Sequence, residues 1–322
     1  FPYTTLFRSL EIIKQDWQTI IDKIKAGEAH NISEGDTMYL AACTKGANAK
    51  SIRKQPFSNI PAKQRAFSLK SSYMSAFARR VIDRQLIPSL FNVDELKSKT
   101  TLQLLQERFA PYIGKRVSEI AKLVDIPVTK NKAFNANLIS AVLGVKGTKL
   151  ESLREFSKAN IKFKTIRLEP TGIPKEHMSF EQIDFHRWIN DAWEDSQLYE
   201  KFEYTKYLFV VFQYDETEKE NKNREPYLKG IMLWNMPEVV IEHELKELWK
   251  TTKAILEEGV QLTPVRNGVS NNLPGASFNG ICHIRLKARD GKDQVELPDG
   301  QYITKQCYWL NREYIAEIVK EL

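Results

Sequence analysis

Residues 155–166, with the sequence EFSKANIKFKTI, give the clearest indication of the fold. Ile161 to Leu168 alternates enough to predict a β-strand, and such a strand places Lys162 and Lys164 on one face. The continuous apolar run from Tyr207 to Phe212 predicts a second strand, buried on both faces at the centre of the same sheet. These two strands indicate a sheet-based domain.

Hydrophobic periodicity predicts the elements around these two strands. Helices are expected at Thr101 to Phe109, Val117 to Leu123, Phe134 to Leu143 (closed by Gly144), Glu242 to Glu257 and Asn311 to Leu322. Further strands are expected at Ile231 to Trp234, at Gly280 to Ala288 and at a segment ending with Tyr308 to Leu310. The whole predicts an α/β domain, residues 100–322, with a mixed central sheet flanked by helices.

Residues 10–99 are predicted to form a separate, mainly helical and basic lead-in segment. Leu10 to Ala29 has apolar residues near helical spacing, and Ser33 and Asp36 offer caps for a short helix through Tyr39 and Leu40. Cys43 to Pro61 contains glycine, asparagine and proline and is expected to be a loop. Ala62 to Leu86 is expected to be a helix.

Positive charge is segregated along the chain, whose formal net charge is +7. Between Thr37 and Ile82 there is no Asp or Glu, and a second window from Lys115 to Arg167 has twelve cations against four acids. Segregation of this kind is typical of a surface that binds a polyanion, whereas an ordinary solvated surface mixes both signs. The cations of the first window are Lys45, Lys50, Arg53, Lys54, Lys63, Arg65, Lys70, Arg79 and Arg80.

Several other classes of protein are disfavoured by the sequence. No Cys/His cluster has zinc spacing, and neither a P-loop nor a dinucleotide-binding glycine motif occurs. The sequence has no apolar run long enough for a membrane span. Cys43, Cys282 and Cys307 are odd in number and far apart, so buried thiols in a reducing compartment, the cytoplasm, are expected.

The first nine residues, FPYTTLFRS, stand apart from the rest. They show no helical or strand continuity with the residues after them, and they match the in-frame translation of a widely used sequencing adapter. We interpret Phe1 to Ser9 as an assembly artefact, and we expect an N-terminal region to be missing upstream.

The motif strand has part of the chemistry of a metal-dependent nuclease. Phosphodiester hydrolysis with Mg²⁺ needs two or three carboxylates to hold the metal and a lysine to orient the attacking water. A common solution places an acid before the strand and an acid-x-Lys triplet on it, so that the second acid and the lysine share a face.

The segment resembles the active-site motif of the MutH-like family of GATC-specific nucleases, which have a restriction-endonuclease-like PD-(D/E)xK fold. The family pattern is Asp-Phe, then an acid-x-Lys-Thr-Ile strand. Here the first Asp is Glu155, the strand acid is Lys162 and the lysine is kept as Lys164. A further family acid, on the helix matching residues 132–144, falls on Ser140.

This resemblance implies a degenerate nuclease site, because one of three carboxylates remains. Lys162 places an ammonium group where a divalent cation would coordinate, and like charges a few ångströms apart repel by roughly 1 kcal/mol in water and more when shielded from it. We expect no bound metal; Glu155 is the expected ligand of any metal that does bind. The chain by itself is therefore expected not to cleave DNA, although Mg²⁺ is implied for the intact enzyme.

The sequence matches the family's DNA-recognition residues more fully than its catalytic residues. Residues 283–288, HIRLKA, are similar to the recognition segment that enters the DNA major groove, with Arg285 and Lys287 retained and the family's proline replaced by Leu286. Arg and Lys suit guanine O6 and N7. Residues 306–311 and 175–180 resemble its aromatic and DNA-contacting segments. The residues this implies as DNA contacts are Arg285, Lys287, Tyr308, Trp309, Met178 and Phe180, with Lys45, Lys50, Arg53 and Lys54 from the acid-free segment.

The first hundred residues resemble the lead-in to the C-terminal domain of staphylococcal-type, GATC-cutting type II restriction endonucleases, which carry two MutH-like domains in one chain. In that class the C-terminal domain is an allosteric, DNA-binding effector, and the N-terminal domain cuts. The implied partners are GATC-containing duplex DNA, the missing N-terminal catalytic domain and a possible second copy on DNA.

Two other hypotheses stay open from the sequence. In one, the chain cleaves DNA by itself, using Glu155 and Lys164 with a further acid such as Glu151 or Glu169. In the other, it has become a protein-interaction domain. A third possibility concerns the motif alone: an ordinary amphipathic edge strand would also carry exposed lysines, as residues 161–168 do.

Overall fold

The computed structural model describes residues 3–46, 51–83, 88–129, 131, 133–266 and 268–322. Two compact units are present. The first comprises the chain up to Pro170 together with Glu203–Glu238 and Leu322, and the second comprises Thr171–Phe202 and Val239–Glu321. Within the described residues, no helix has an apolar stretch that could cross a membrane.

The helices predicted after residue 100 are present, and further helices that were not predicted lie between residues 154 and 203. The α-helices are α1 (Tyr3–Lys25), α2 (Ser71–Asp83), α3 (Val93–Ser98), α4 (Thr101–Phe109), α5 (Val117–Leu123), α6 (Phe134–Val142), α7 (Arg154–Ala159), α8 (Phe185–Asn190), α9 (Gln197–Glu203), α10 (Glu238–Val240), α11 (Lys246–Glu258) and α12 (Arg312–Ile318). A π-helical turn, Ile241–Leu245, joins α10 to α11. Helices α4 and α5 have the predicted bounds, and α6 ends before Gly144, whose φ of +75° favours glycine.

The strands form small sheets. They are β1 (Leu40–Thr44), β2 (Ile52–Gln55), β3 (Ser58–Lys63), β4 (Arg65–Leu69), β5 (Ile161–Leu168), β6 (Met178–Gln182), β7 (Lys206–Gln213), β8 (Tyr227–Trp234), β9 (Leu262–Val265), β10 (Gly268–Asn271), β11 (Cys282–Leu286), β12 (Gln294–Glu296), β13 (Tyr302–Thr304) and β14 (Gln306–Leu310). The predicted strand at residues 161–168 is β5, and the apolar run at 207–212 lies within β7.

The central sheet of the first unit has the order β5-β7-β8. β5 and β7 are parallel, while β7 and β8 are antiparallel, so this three-stranded sheet is mixed. Every residue of β7 except Gln213 is buried, as expected for a central strand that is paired on both edges and covered on both faces. The register pairs Lys162 with Tyr207 and Lys164 with Phe209, which fixes the face on which the motif lysines lie.

One face of this sheet packs against helices. Leu208, Val210 and Phe212 of β7 belong to the same buried cluster as residues of α4 and α6. Leu105 and Leu138, on those two helices, are completely buried. Burial of a leucine or phenylalanine side chain contributes about 2 kcal/mol relative to its exposure. This cluster is therefore the main source of the first unit's stability.

The lead-in segment differs from the prediction, because it is mixed rather than mainly helical. The described residues of the predicted loop at 43–61 and the start of the predicted helix at 62–86 contain strands: β1 pairs with β4, and β2 pairs with β3, both antiparallel. The short predicted helix through Tyr39 and Leu40 is also wrong, since a 3₁₀ turn ends at Asp36 and β1 begins at Leu40. Strand pairing depends on contacts distant in sequence, which local periodicity does not show.

The chain start also differs from the prediction, because α1 runs without a break from Tyr3 to Lys25. The expectation that the first nine residues lack helical continuity is therefore wrong. The buried Ser9 hydroxyl accepts a hydrogen bond of 3.0 Å from Lys158 of α7. The ammonium of Lys158 lies over the rings of Tyr39 and Tyr73, so α1, α2, α7 and the residue before β1 meet around one buried cation. The adapter origin and the boundary at residue 100 stay predictions, although the two compact units do not divide there.

The second unit is built on an antiparallel sheet with the order β11-β14-β6. Its register places Trp309 opposite both His283 and Ser179. Phe180, Phe202 and Tyr308 pack together, with ring centroids 5.0 to 6.1 Å apart. Since side chains alternate across a strand, Trp309 faces the opposite side of the sheet from its neighbour Tyr308.

Candidate nucleic-acid interface

A cationic cluster lies on the exposed side of the β11-β14-β6 sheet, and we call it the Trp309 face. It consists of Ser179, Arg285, Lys287 and Trp309. The Arg285 guanidinium lies 5.6 Å and the Lys287 ammonium 6.0 Å from the centre of the Trp309 ring. Cations attract the negative face of an indole, so the ring holds both side chains near one position.

Two hydrogen bonds fix this face further. The Trp309 indole N–H donates to the Arg285 carbonyl at 3.1 Å, and the Lys287 ammonium donates to the Ser179 hydroxyl at 2.7 Å. Both cations remain exposed. The sequence interpretation missed Ser179 as a supporting residue, and only its position between two predicted contacts, Met178 and Phe180, could have indicated it.

On the same side of the sheet, next to the Trp309 face, His283 is buried and paired with Asn311. The Asn311 amide N–H donates to the Ala276 carbonyl at 2.7 Å, so its oxygen faces the His283 Nδ1. His283 Nδ1 therefore carries a proton and donates it to Asn311. Burial lowers the pKa of His283 to about 4, and the nearby Arg285 contributes to the lowering. The ring is neutral near pH 7 and supports the strand without adding charge.

Three predicted contacts are less exposed than a DNA contact requires. Tyr308 is 0% and Phe180 5% exposed, because both lie on the covered side of the sheet. The Tyr308 hydroxyl donates to Glu181 at 3.2 Å. Met178 is half-buried at the first position of β6. Assignment of Phe180 and Tyr308 as direct contacts is thus corrected: they form the support of the Trp309 face.

The motif lysines lie where the sequence places them. Lys162 and Lys164 are on the same side of β5, and both are partly exposed. Their strand partners, Tyr207 and Phe209, are buried aromatic residues of β7. The motif strand therefore presents two cations at the family's acid-x-Lys positions.

The remaining motif residues are engaged in structural contacts. Glu155 is 0% exposed, and its carboxylate accepts hydrogen bonds from the Ser89 hydroxyl and from the Leu90 N–H. The Ser140 hydroxyl donates to the Thr148 carbonyl at 3.0 Å. These groups do not fit a divalent cation, because the only carboxylate among the four motif positions is bound elsewhere. Within the described part of the chain, no cluster of three or more His, Cys, Asp or Glu side chains could hold a metal.

The additional acids considered from the sequence differ in their surroundings. Both Glu169 carboxylate oxygens accept hydrogen bonds from the Arg224 guanidinium. Glu151 is exposed in the 3₁₀ turn before α7. Glu169 is thus neutralised by its own ion pair, and Glu151 stays a prediction.

The acid-free segment divides into two kinds of cation. Lys45, Arg53 and Lys54 are exposed, whereas Lys50 lies outside the described residues. Lys63 and Arg65 instead pair with Glu238, at 2.5 and 3.3 Å. These two do not belong to a free basic surface, because acids from a later part of the chain neutralise them.

Lys70 also points inward, since its buried ammonium donates to the Thr37 carbonyl at 2.6 Å. Burial lowers the pKa of Lys70, and the neighbouring Asp16 opposes the lowering. Its predicted role in a polyanion-binding surface is therefore wrong. The charge available to a ligand is smaller than the count along the sequence.

The fold and the motif strand define a restriction-endonuclease-like protein, and comparison with known proteins agrees. A family model described as "DNA mismatch repair enzyme MutH" matches residues 147–247, which include β5 and β7. The chain belongs to the MutH-like family of restriction endonucleases. The "Type II restriction enzyme Sau3AI" of Staphylococcus aureus is 35% identical over 351 residues, covering 97% of this chain and 70% of that protein.

Proposed function

We propose that this chain binds duplex DNA containing a GATC-type site and does not cut it, acting as the C-terminal effector part of a type II restriction endonuclease. The observation that carries the proposal is the Trp309 face, where two exposed cations are held over one indole ring. Family membership supports DNA as the partner. In this role a separate catalytic domain, with its Mg²⁺, would perform the hydrolysis.

Base recognition is assigned to Arg285 and Lys287. They are two positions apart on an extended segment, so their Cα atoms are separated by about 7 Å. This spacing corresponds to about two base-pair steps of 3.4 Å each. Either side chain can donate to guanine O6 and N7 in the major groove. The face therefore suits a site that presents guanine in the major groove.

Phosphate contacts are assigned to the exposed cations Lys45, Arg53 and Lys54, with Lys50 as a further candidate. Contacts of this kind position a protein on DNA without sequence preference. Lys162 and Lys164 can attract phosphate in the same way, since an ammonium group replaces part of the charge that a metal would supply. They provide no activated water, so attraction is not followed by hydrolysis.

The salt dependence of binding tests this function. The logarithm of the association constant is expected to fall linearly with the logarithm of salt concentration, and Lys54→Ala to reduce that slope by about one. Fluorescence anisotropy with a labelled GATC duplex measures both. Lys97→Ala is the matched control, because Lys97 is an exposed cation already paired with Asp94 on α3. Binding that does not respond to salt would contradict the proposal.

A further inference from the structure

The β2–β3 hairpin, residues 52–63, ends in an exposed aromatic tip. Its register pairs Gln55 with Ser58, so Pro56 and Phe57 form the two-residue turn between the strands. The Phe57 side chain is 60% exposed. An exposed phenylalanine at the end of a two-stranded ribbon has no role in the core of the first unit.

The tip is fixed rather than loose. The Gln55 side chain is buried, and its oxygen accepts from the Ala29 N–H at 3.1 Å while its amide group donates to the Ile60 carbonyl at 2.6 Å. Gly27, with φ of +78°, lies against the hairpin so closely that an added Cβ would be 2.7 Å from the Phe57 carbonyl oxygen. The backbone of Phe57 is therefore held at a defined position, so binding a ligand there costs little further conformational entropy.

The charge of the hairpin matches a polyanion. Arg53 and Lys54 are consecutive and exposed on β2, just before the tip. Neither forms an ion pair among the described residues, in contrast to Lys63 of the same hairpin. Two copies of this surface would bring like charges together, which disfavours a second copy of the chain as the occupant.

We propose that this hairpin enters the minor groove of duplex DNA and that Phe57 inserts between adjacent base pairs, kinking the duplex. The inference rests on the proposed function, because it requires that the chain binds DNA. Apolar side chains inserted from a ribbon or arm unstack base steps in this way, and flanking cations hold the backbone. Arg53 and Lys54, just before the tip, take that flanking role.

The exposed side chains of Ile52 and Ile60 fit the same occupant. They are 57% and 52% exposed on the two strands behind the tip. In a narrow groove they would contact the sugar walls, which are apolar, while the cations reach the phosphates. The ribbon thus has an apolar leading edge and charged flanks, the combination that minor-groove binding requires.

The test is to scan 2-aminopurine through the adenine positions of a GATC duplex and to measure its fluorescence with the full chain bound. Unstacking is expected to raise the fluorescence severalfold at one or two adjacent steps, and donor–acceptor transfer between the duplex ends should report a bend. Phe57→Ala is expected to remove both signals and to weaken binding about tenfold. Phe77→Ala is the matched control, since it removes an exposed phenylalanine from α2, outside the hairpin.

The outcomes separate this inference from the proposed function. If binding depends on salt but no step is unstacked and the duplex is not bent, insertion of Phe57 is overturned and the DNA-binding function is retained. The same conclusion follows if Phe57→Ala keeps both signals. Absence of salt-dependent DNA binding overturns both. If sedimentation shows that the chain self-associates and that Phe57→Ala abolishes this association, the hairpin is a protein interface and insertion of Phe57 into DNA is overturned.

Discussion

Replacing Glu155 with alanine is expected to lower the free energy of unfolding by about 3 kcal/mol. The carboxylate is fully buried and accepts hydrogen bonds from Ser89 and from the Leu90 N–H. Alanine leaves the Leu90 N–H without this acceptor, while the Ser89 hydroxyl keeps the Phe91 carbonyl at 3.2 Å, and it opens a cavity at α7. Urea unfolding followed by circular dichroism measures the change.

Two further variants define the origin of this effect. Glu155→Gln keeps the shape and one acceptor, so it should retain more than half of the lost stability. Glu151→Ala, in an exposed position one turn earlier, should change stability by less than about 0.5 kcal/mol. If Glu155→Ala unfolds at the same urea concentration as the unmodified chain, Glu155 does not have this structural role.

Replacing Lys287 with alanine is expected to reduce the preference for GATC over a scrambled duplex by about tenfold to a hundredfold, or about 1–3 kcal/mol. The physical reason is that Lys287 is an exposed donor held in place by Ser179 and the Trp309 ring. Competition binding with the two duplexes measures the ratio of affinities.

The control for Lys287 is Lys292→Ala, which removes one exposed charge from the same unit, outside the Trp309 face. This variant should weaken binding to both duplexes slightly and equally. Ser179→Ala tests positioning: it should lower discrimination less than Lys287→Ala does, because the Trp309 ring still holds the ammonium. If Lys287→Ala lowers the affinity for both duplexes equally, this face does not recognise bases.

Strong local patterns made much of the fold predictable from sequence. α4, α5 and β5 have the predicted bounds, because amphipathic periodicity and a β-rich run are properties of neighbouring residues. The ribbons at residues 40–69 were missed since Pro56 and Pro61 suggest a loop, and exposed strands of four to six residues lack alternation. Their pairing is decided by contacts that a local window does not contain.

The site was predictable in its charges but not in its partners. Arg285 and Lys287 were identified by the resemblance of residues 283–288 to the family's recognition segment, and both are exposed on one side of the sheet. The burial of Tyr308 could not be predicted, because the sequence does not show which side of β14 is covered. The pairing of Arg65 with Glu238 joins residues far apart in the chain, so an acid-free segment overstated the free charge.

The proposed function requires that the chain binds GATC-type DNA without cutting it. A cleavage assay tests this requirement: the full chain is incubated with a GATC-containing supercoiled plasmid and Mg²⁺, at a concentration where anisotropy shows the DNA to be bound. We expect the plasmid to stay supercoiled. Nicking or linearisation that disappears in Lys164→Ala would contradict the proposal and would establish the motif strand as a working nuclease site.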